Sequence, residues 1–237
     1  MNGGVGLKYF GDDLSPLHKQ LSLVIRKSDC FNEAKELFLD IHGKLHLAEV
    51  SGGESGAVDS LTADLSEKEC HIMPTSRDET IAWSIWHIAR IEDLTMGILA
   101  AGGRQVFNDE RKSLMRSPFS DTGNAMSDDE ILLFSNTVDF EELLRYRSDV
   151  GKRTREIWGE LRPEDMRRRV SDSGLECIFK EGGVTSQENS AWLLDFWGGK
   201  DVAGLMLMPA TRHQIVHLNA CFKYKEFMRT KKRYYRD

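Results

Sequence analysis

Long amphipathic helices constrain this 237-residue chain more than any other feature. Apolar residues recur at three- and four-residue steps over 32–50, a spacing that places them on one face of an α-helix. The pattern returns over 76–101 and 139–161, and a last helix is expected to begin near Pro209, since proline suits a first helical turn. The only weak strand signal is a possible hairpin within 171–187. Four long helices with so little strand pattern predict an all-α, up-down four-helix bundle.

The remaining segments divide the chain. We expect residues 1–27 to form an N-terminal arm or short helix, 28–228 a single helical-bundle domain, and 229–237 a solvated basic tail. The Gly/Ser-rich stretch 51–60 predicts a loop. Residues 103–130 form a connection long enough to suggest a lid or a dimer contact.

Two sequence signals define the second long helix. Thr75 or Ser76 is expected to cap its start, and the pair Gly102-Gly103 to end it.

Composition limits the partners. The net charge of −6 is not typical of a nucleic-acid-binding protein. No apolar run approaches the ~20 residues of a membrane span, and the first residues do not resemble a signal peptide. The four cysteines include no CxxC pair. We therefore expect a reduced cytoplasmic protein with free thiols and with neither nucleic acid nor membrane as partner.

Three histidines face inward on the predicted helices. On the last helix, His213 and His217 lie in the middle of a mostly apolar face that includes Tyr224, within about 60° of one another. His87 lies at the centre of the inner face of the second helix, with Glu92-Asp93 pointing elsewhere. Histidines four residues apart lie about 5–6 Å from each other, which suits two ligands of one ion.

A second histidine pair has the same spacing but a different direction. His42 and His46 lie about 100° and 140° from the centre of the apolar stripe on the first long helix. We therefore expect them at its flank or in solvent. Spacing and direction together thus select His87, His213 and His217 as candidate metal ligands. Three is also the number of protein ligands that zinc takes in catalytic sites, where water is the fourth. The alternative is that these are core histidines held only by hydrogen bonds.

The segment TIAWSIWHIARIED and the later His-x-x-x-His pair resemble the DinB/YfiT-like superfamily of four-helix-bundle metalloenzymes. The matching positions are His87, His213 and His217. The resemblance implies an up-down bundle, a divalent metal such as zinc or nickel on these histidines, and often a homodimer. Relatives include transferases that use low-molecular-weight thiols. The chain departs from the pattern in its longer connections and in the LNACF that follows His217, so no particular substrate is carried over.

Neighbouring residues suggest further roles. Arg90 could hold an anionic substrate group beside the metal, or pair with an acid or reach solvent. Cys221 could be a fourth ligand, or a buried inert thiol. Tyr224 could donate a hydrogen bond at the site, or be a core aromatic residue.

The surroundings of the site are less defined. Asp195, Asp201 or Asn219 could accept a hydrogen bond from an imidazole N–H group and so orient the ring. The aromatic cluster nearby, formed by Trp192, Phe196 and Trp197, is interpreted as core.

These patterns predict a metal-dependent enzyme acting on a small molecule, as a low-molecular-weight thiol transferase or a hydrolase. The alternative is a non-catalytic stress-response or binding protein whose histidines are structural.

Overall fold

The computed structural model describes residues 14–231 and 233–236, and the first half of the predicted N-terminal arm, residues 1–13, lies outside them. The described chain is all-α. Its helices are α1 (Leu14–Val24), α2 (Phe31–Leu45), α3 (Ala48–Ser51), α4 (Ala57–Thr62), α5 (Glu67–His71), α6 (Ile81–Asp93), α7 (Asp109–Leu114), α8 (Asp128–Thr137), α9 (Phe140–Glu160), α10 (Asp172–Lys180), α11 (Glu188–Gly198), α12 (Val202–Leu207) and α13 (His213–Thr230). Short 3₁₀ segments occur at Ser28–Cys30 and Pro163–Arg167, and π-helical segments at Leu94–Ala100 and Met208–Arg212.

The four long helices α2, α6, α9 and α13 form a bundle of the DinB type, as predicted. Helix α6 is its centre, packed against α9, α13, α5 and α8. Every residue of α6 is buried, including Glu92 and Asp93, which the sequence placed away from the core. A helix covered on all sides has no solvent face, so its charged side chains must be paired inside the protein.

Helix α2 differs from its prediction at its C-terminal end. It stops at Leu45, and His46 has extended backbone angles of φ −109° and ψ −171°. A helical wheel therefore does not give the direction of His46. Residues 57–60 of the predicted Gly/Ser-rich loop belong to α4 instead.

The start of α6 is also later than predicted. The hydroxyl of Thr80, not Thr75 or Ser76, accepts a hydrogen bond from the amide of Trp83 and caps the helix. The C-terminal stop is as expected, because Gly102 adopts φ +66° just after the π-helical segment.

The connections contain more helix than the sequence suggested. The long connection 103–130 contains α7, and Ser127 with Glu130 forms a capping box at the start of α8. The hairpin considered for 171–187 is wrong. Residues 172–180 form the amphipathic helix α10, which packs on the π-helical segment after α6.

The continuous helical run that leads into α13 begins before Pro209, at Val202. Asp201 caps α12, and the chain passes through the π-helical segment Met208–Arg212 into α13 without a break. Pro209 lies in this segment, where its missing N–H removes one helical hydrogen bond and the helix widens by a residue.

Two described residues of the predicted basic tail contact the domain. Arg229 pairs with Asp64 and Glu69, and the backbone of Arg236 bridges to Met73. Among the helices of residues 14–231, none is sufficiently long and apolar to cross a membrane.

Candidate metal centre

The three histidines selected from the sequence lie together. His87 comes from the middle of α6, and His213 and His217 from the first turns of α13. Their ring centroids lie 4.5, 4.7 and 4.9 Å apart, and each ring offers a nitrogen within 4.8 Å of the others. The Nε2 atoms of His87 and His213 are 3.1 Å apart. Two nitrogens bound to one tetrahedral zinc at 2.0–2.1 Å would lie about 3.3 Å apart, so the spacing fits a metal.

The tautomer of His87 is fixed by a backbone group. Its Nδ1–H donates to the carbonyl oxygen of Thr122 at 2.7 Å, because a carbonyl can only accept. The Nε2 lone pair is therefore directed at the other two histidines. The acidic and amide residues considered for this role lie elsewhere: Asp201 pairs with Arg26, and Asn219 donates to the carbonyl of Ile215. A carbonyl partner in a loop leaves no signal in a sequence.

All three imidazoles are held neutral. Burial, and after it the nearby His217, lowers the pKa of His87 to about 3. Burial lowers the pKa of His217 to about 4. Burial, followed by the charges of His87 and His217, lowers the pKa of His213 well below its usual range. Neutral imidazole is the form that binds a metal ion, so the three ligands need not lose protons at neutral pH.

A cavity of about 400 Å³ opens beside the three rings. Its walls are mainly aromatic and aliphatic, and include Trp83, Trp192, Leu193, Phe196, Trp197, Met126, Met208 and Ile131. The aromatic cluster interpreted as core therefore lines the cavity, although Trp197 is itself buried. Trp192, which also lines the cavity, is 47% exposed. Trp83 stacks on His87 with centroids 4.6 Å apart and an interplanar angle of 9°.

The predicted long connection forms one wall of this cavity through Gly123, Asn124 and Met126. Three residues of α6 bind it: Trp86 to the carbonyl of Asp121, His87 to that of Thr122, and Arg90 to that of Ser120. Gly123, at φ +79°, passes so close to Trp83 that an added Cβ would lie 2.6 Å from the indole nitrogen. The connection is thus fastened over the site. Its suggested role as a dimer contact stays a prediction.

Arg90 does not line the cavity wall. Its side chain is fully buried and donates to Asp93, to the hydroxyl of Tyr146, to Gln105 and to the loop carbonyl of Ser120. Of the roles considered for Arg90, pairing with an acid is the one that agrees with these contacts. Its guanidinium also holds the loop that contains Ser120.

Cys221 and Tyr224 lie about one and two turns beyond His217 on α13. The Tyr224 hydroxyl donates to Glu79 at 3.0 Å, and Glu79 is the one carboxylate among the described residues that line the cavity. Burial raises the pKa of the Cys221 thiol to about 12. In the described structure its sulfur is not among the potential ligand atoms grouped around the three histidines. Cys221 is therefore a buried thiol, and all four cysteines are free.

A second group of potential ligands occupies the bundle core. His42 and His46, expected at the flank of α2 or in solvent, are 0% exposed and lie against the carboxylate of Glu92. Their expected direction is wrong, because α2 is covered on both sides and because His46 has left the helix. One feature of the sequence indicates this cluster. Arg147 lies on the apolar stripe of α9 beside Tyr146 and Val150, and a charged side chain in such a position requires a buried partner. That partner is Glu92, at 3.3 Å.

Two groups in the described chain could therefore hold a metal ion: His87, His213 and His217, and His42, His46 and Glu92. Only the first borders the cavity.

The comparisons with known proteins concern most of the bundle. No curated protein matches the chain. The family model of the DinB superfamily matches residues 56–218, which include His87, His213 and His217 but neither His42 nor His46. On this match, and on the helical bundle that carries the three histidines, the chain belongs to the DinB superfamily.

Proposed function

We propose that this protein is a metal-dependent enzyme that acts on a small molecule bound in the aromatic cavity, with a divalent ion held by His87, His213 and His217. One observation supports this most directly. Three neutral imidazoles converge at the wall of a cavity of about 400 Å³, a size typical of sites for small molecules. Zinc or nickel suits nitrogen ligands of this kind.

The ion would lower the pKa of a bound water or thiol, or polarise a carbonyl group. The chain contributes the remaining functions. Thr122 orients the His87 ring, and the apolar walls exclude water and hold the apolar part of a substrate. Three neutral ligands leave the charge of an ion uncompensated, which favours an anionic nucleophile such as a thiolate or hydroxide. A low-molecular-weight thiol transferase and a hydrolase are the two forms of the proposal.

Of the two candidate groups, the three-histidine group is the better metal centre. It reaches the cavity, whereas the carboxylate of Glu92 already accepts hydrogen bonds from the side chains of Arg147 and Gln214. A cation beside Glu92 would also meet the positive charge of Arg147.

The alternative is a non-catalytic stress-response or binding protein whose histidines are structural. The complete burial of His42, His46 and Glu92 favours it, since groups with no solvent contact cannot meet a substrate.

Metal content separates these proposals. Protein without a histidine tag would be analysed by plasma mass spectrometry as wild type, His87→Ala, His213→Ala and His46→Ala. The matched control is His71→Ala, a partly buried histidine outside both groups.

We expect about one metal per chain, lost in the His87 and His213 variants and kept in the His71 control. A metal that instead follows His46 would move the site to the buried group and support the alternative. No metal after reconstitution would refute a metal centre. A positive result would be followed by assays for thiol transfer and hydrolysis.

A further inference from the structure

A buried polar cluster lies next to the metal centre, and we name it the clamp: His42, His46, Glu92, Arg147 and Gln214. All five side chains are fully buried. Glu92 Oε1 lies 2.8 Å from His42 Nε2, and Oε2 lies 3.1 Å from His46 Nε2. Gln214 Nε2 donates to the same Oε2 at 2.7 Å, and Arg147 Nη2 donates to Gln214 Oε1 at 2.6 Å.

The clamp needs no ion to balance its charge. The carboxylate of Glu92 is paired with the guanidinium of Arg147, so the cluster has no net charge when both histidines are neutral. Burial lowers the pKa of His46 to about 3, which keeps that ring neutral. An added cation would have to displace or oppose Arg147.

The positions of the clamp residues in the sequence link them to the metal ligands. Glu92 follows His87 by little more than one turn of α6, and Gln214 follows His213 directly on α13. The hydrogen bond between Gln214 and Glu92 therefore joins the two ligand-bearing helices close to the ligands. Because no water can replace a hydrogen bond at this depth, a change in the distance or rotation between the helices would leave polar groups unpaired.

We propose that Glu92, through its hydrogen bond with Gln214, is a positioning residue that sets the distance between His87 on α6 and the His213–His217 pair on α13. The inference rests on the proposed metal centre and extends it to residues that touch neither metal nor substrate. His42 and His46 attach α2 to the same carboxylate, although they lie outside the segment that matches the family.

The neighbouring Asp93 provides a matched control. It is buried on the same helix and accepts hydrogen bonds from Arg90, from Tyr146 and from the amides of Val106 and Phe107. Among the described residues, none of its hydrogen-bond partners belongs to α13. Removing the charge of Asp93 therefore disturbs a buried ion pair of α6 without affecting the link to α13.

The test is a cobalt titration followed by visible absorption, which reports both affinity and coordination geometry. We expect Glu92→Gln to weaken cobalt binding by about tenfold or more, the scale seen for residues that orient metal ligands, and to shift the visible band. Asp93→Asn should change the cobalt affinity by less than about twofold and leave the visible band in place. This should hold even if Asp93→Asn lowers thermal stability as much as Glu92→Gln does.

A charge-swapped double variant, E92Q/Q214E, should restore the band. Arg147 already contacts the side chain at position 214, so the carboxylate would keep its cationic partner after the swap. If Glu92→Gln does not fold, Gln214→Met removes the link between α6 and α13 while leaving the Glu92–Arg147 pair, and it should show the same shift.

Three results would overturn the proposal. Equal changes in Glu92→Gln and Asp93→Asn would mean that only general stability matters. Two cobalt ions in the wild type, with one lost in Glu92→Gln, would make Glu92 a ligand. A wild type that binds no cobalt would refute the metal centre itself, and the positioning role with it.

Discussion

Gly151 on α9 provides a direct test of the buried position of His46. A Cβ added at Gly151 would lie 2.5 Å from His46 Nδ1 and 2.7 Å from Cε1, whereas ordinary contacts begin near 3.4 Å. It would also lie 2.9 Å from a methyl group of Val50. Gly151→Ala therefore requires the imidazole ring or the helix to move by close to 1 Å.

The ring has little freedom to move. It stacks on His42 with centroids 4.1 Å apart and lies 3.1 Å from the carboxylate of Glu92. Overpacking at such a site is unfavourable by about 1–3 kcal/mol. Replacing glycine by alanine inside a helix contributes up to about 1 kcal/mol in the opposite direction. The net expectation for Gly151→Ala is a loss of about 0–2 kcal/mol in the free energy of unfolding, which is about 1–3 kcal/mol below a glycine-to-alanine change without the overlap.

Urea denaturation followed by circular dichroism would measure this change. Gly159→Ala is the matched control, because Gly159 lies on the same helix and an added Cβ would have no atom within 4 Å. It should leave stability unchanged or raise it by up to about 1 kcal/mol. If Gly151→Ala is as stable as Gly159→Ala, the His46 ring does not lie against α9, and the buried cluster around Glu92 is wrong.

Three other perturbations follow from the same structure. The pKa of His46 is about 3 in the folded protein and that of His217 about 4, against 6.5 for an ordinary histidine, so the unfolded chain binds more protons between these values. The free energy of unfolding should therefore be highest above pH 6.5. Below pH 6.5 it should fall by about 1.4 kcal/mol per pH unit for each such histidine. A urea midpoint that does not change between pH 7 and pH 5 would contradict this. Trp192→Ala should weaken binding of aromatic small molecules, measured by calorimetry, while changing the melting temperature little, because Trp192 is 47% exposed. A large loss of melting temperature would instead make Trp192 a core residue. Chelation of the metal should lower the melting temperature, since an ion at 100 times its Kd stabilises the folded state by about 2.7 kcal/mol. Equal melting curves with and without chelator in the wild type, as expected for His213→Ala, would argue against a bound metal.

The sequence predicts the bundle and the three converging histidines because both depend on local periodicity. Inward-facing positions on α6 and α13 are repeated every three or four residues, and His87, His213 and His217 occupy them. The same method fails for His42 and His46. It assumes one buried face for each helix and a continuous helix, while α2 is covered on two sides and ends at Leu45.

The partners of the site could not be predicted for a different reason. The hydrogen bond from His87 goes to a backbone carbonyl in the 120–124 loop, and any residue type supplies a carbonyl. The aromatic lining from α11 depends on how a short helix packs against the bundle, which its own sequence pattern does not determine. A charged residue on an apolar stripe, such as Arg147 on α9, is the sequence feature that indicates the buried cluster.

The π-helical segment before α13 has a consequence for how the family can vary. An α-helix turns by about 100° per residue, so one residue gained or lost within Met208–Arg212 would rotate α12 against α13 by about that angle. Such a change would alter which residues of the helix face the core, and not only the length of the helix. Insertions should therefore accumulate in exposed loops such as 52–55, while the number of residues from Asp201 to His213 should stay the same in chains that keep both the α12 cap and the histidine pair.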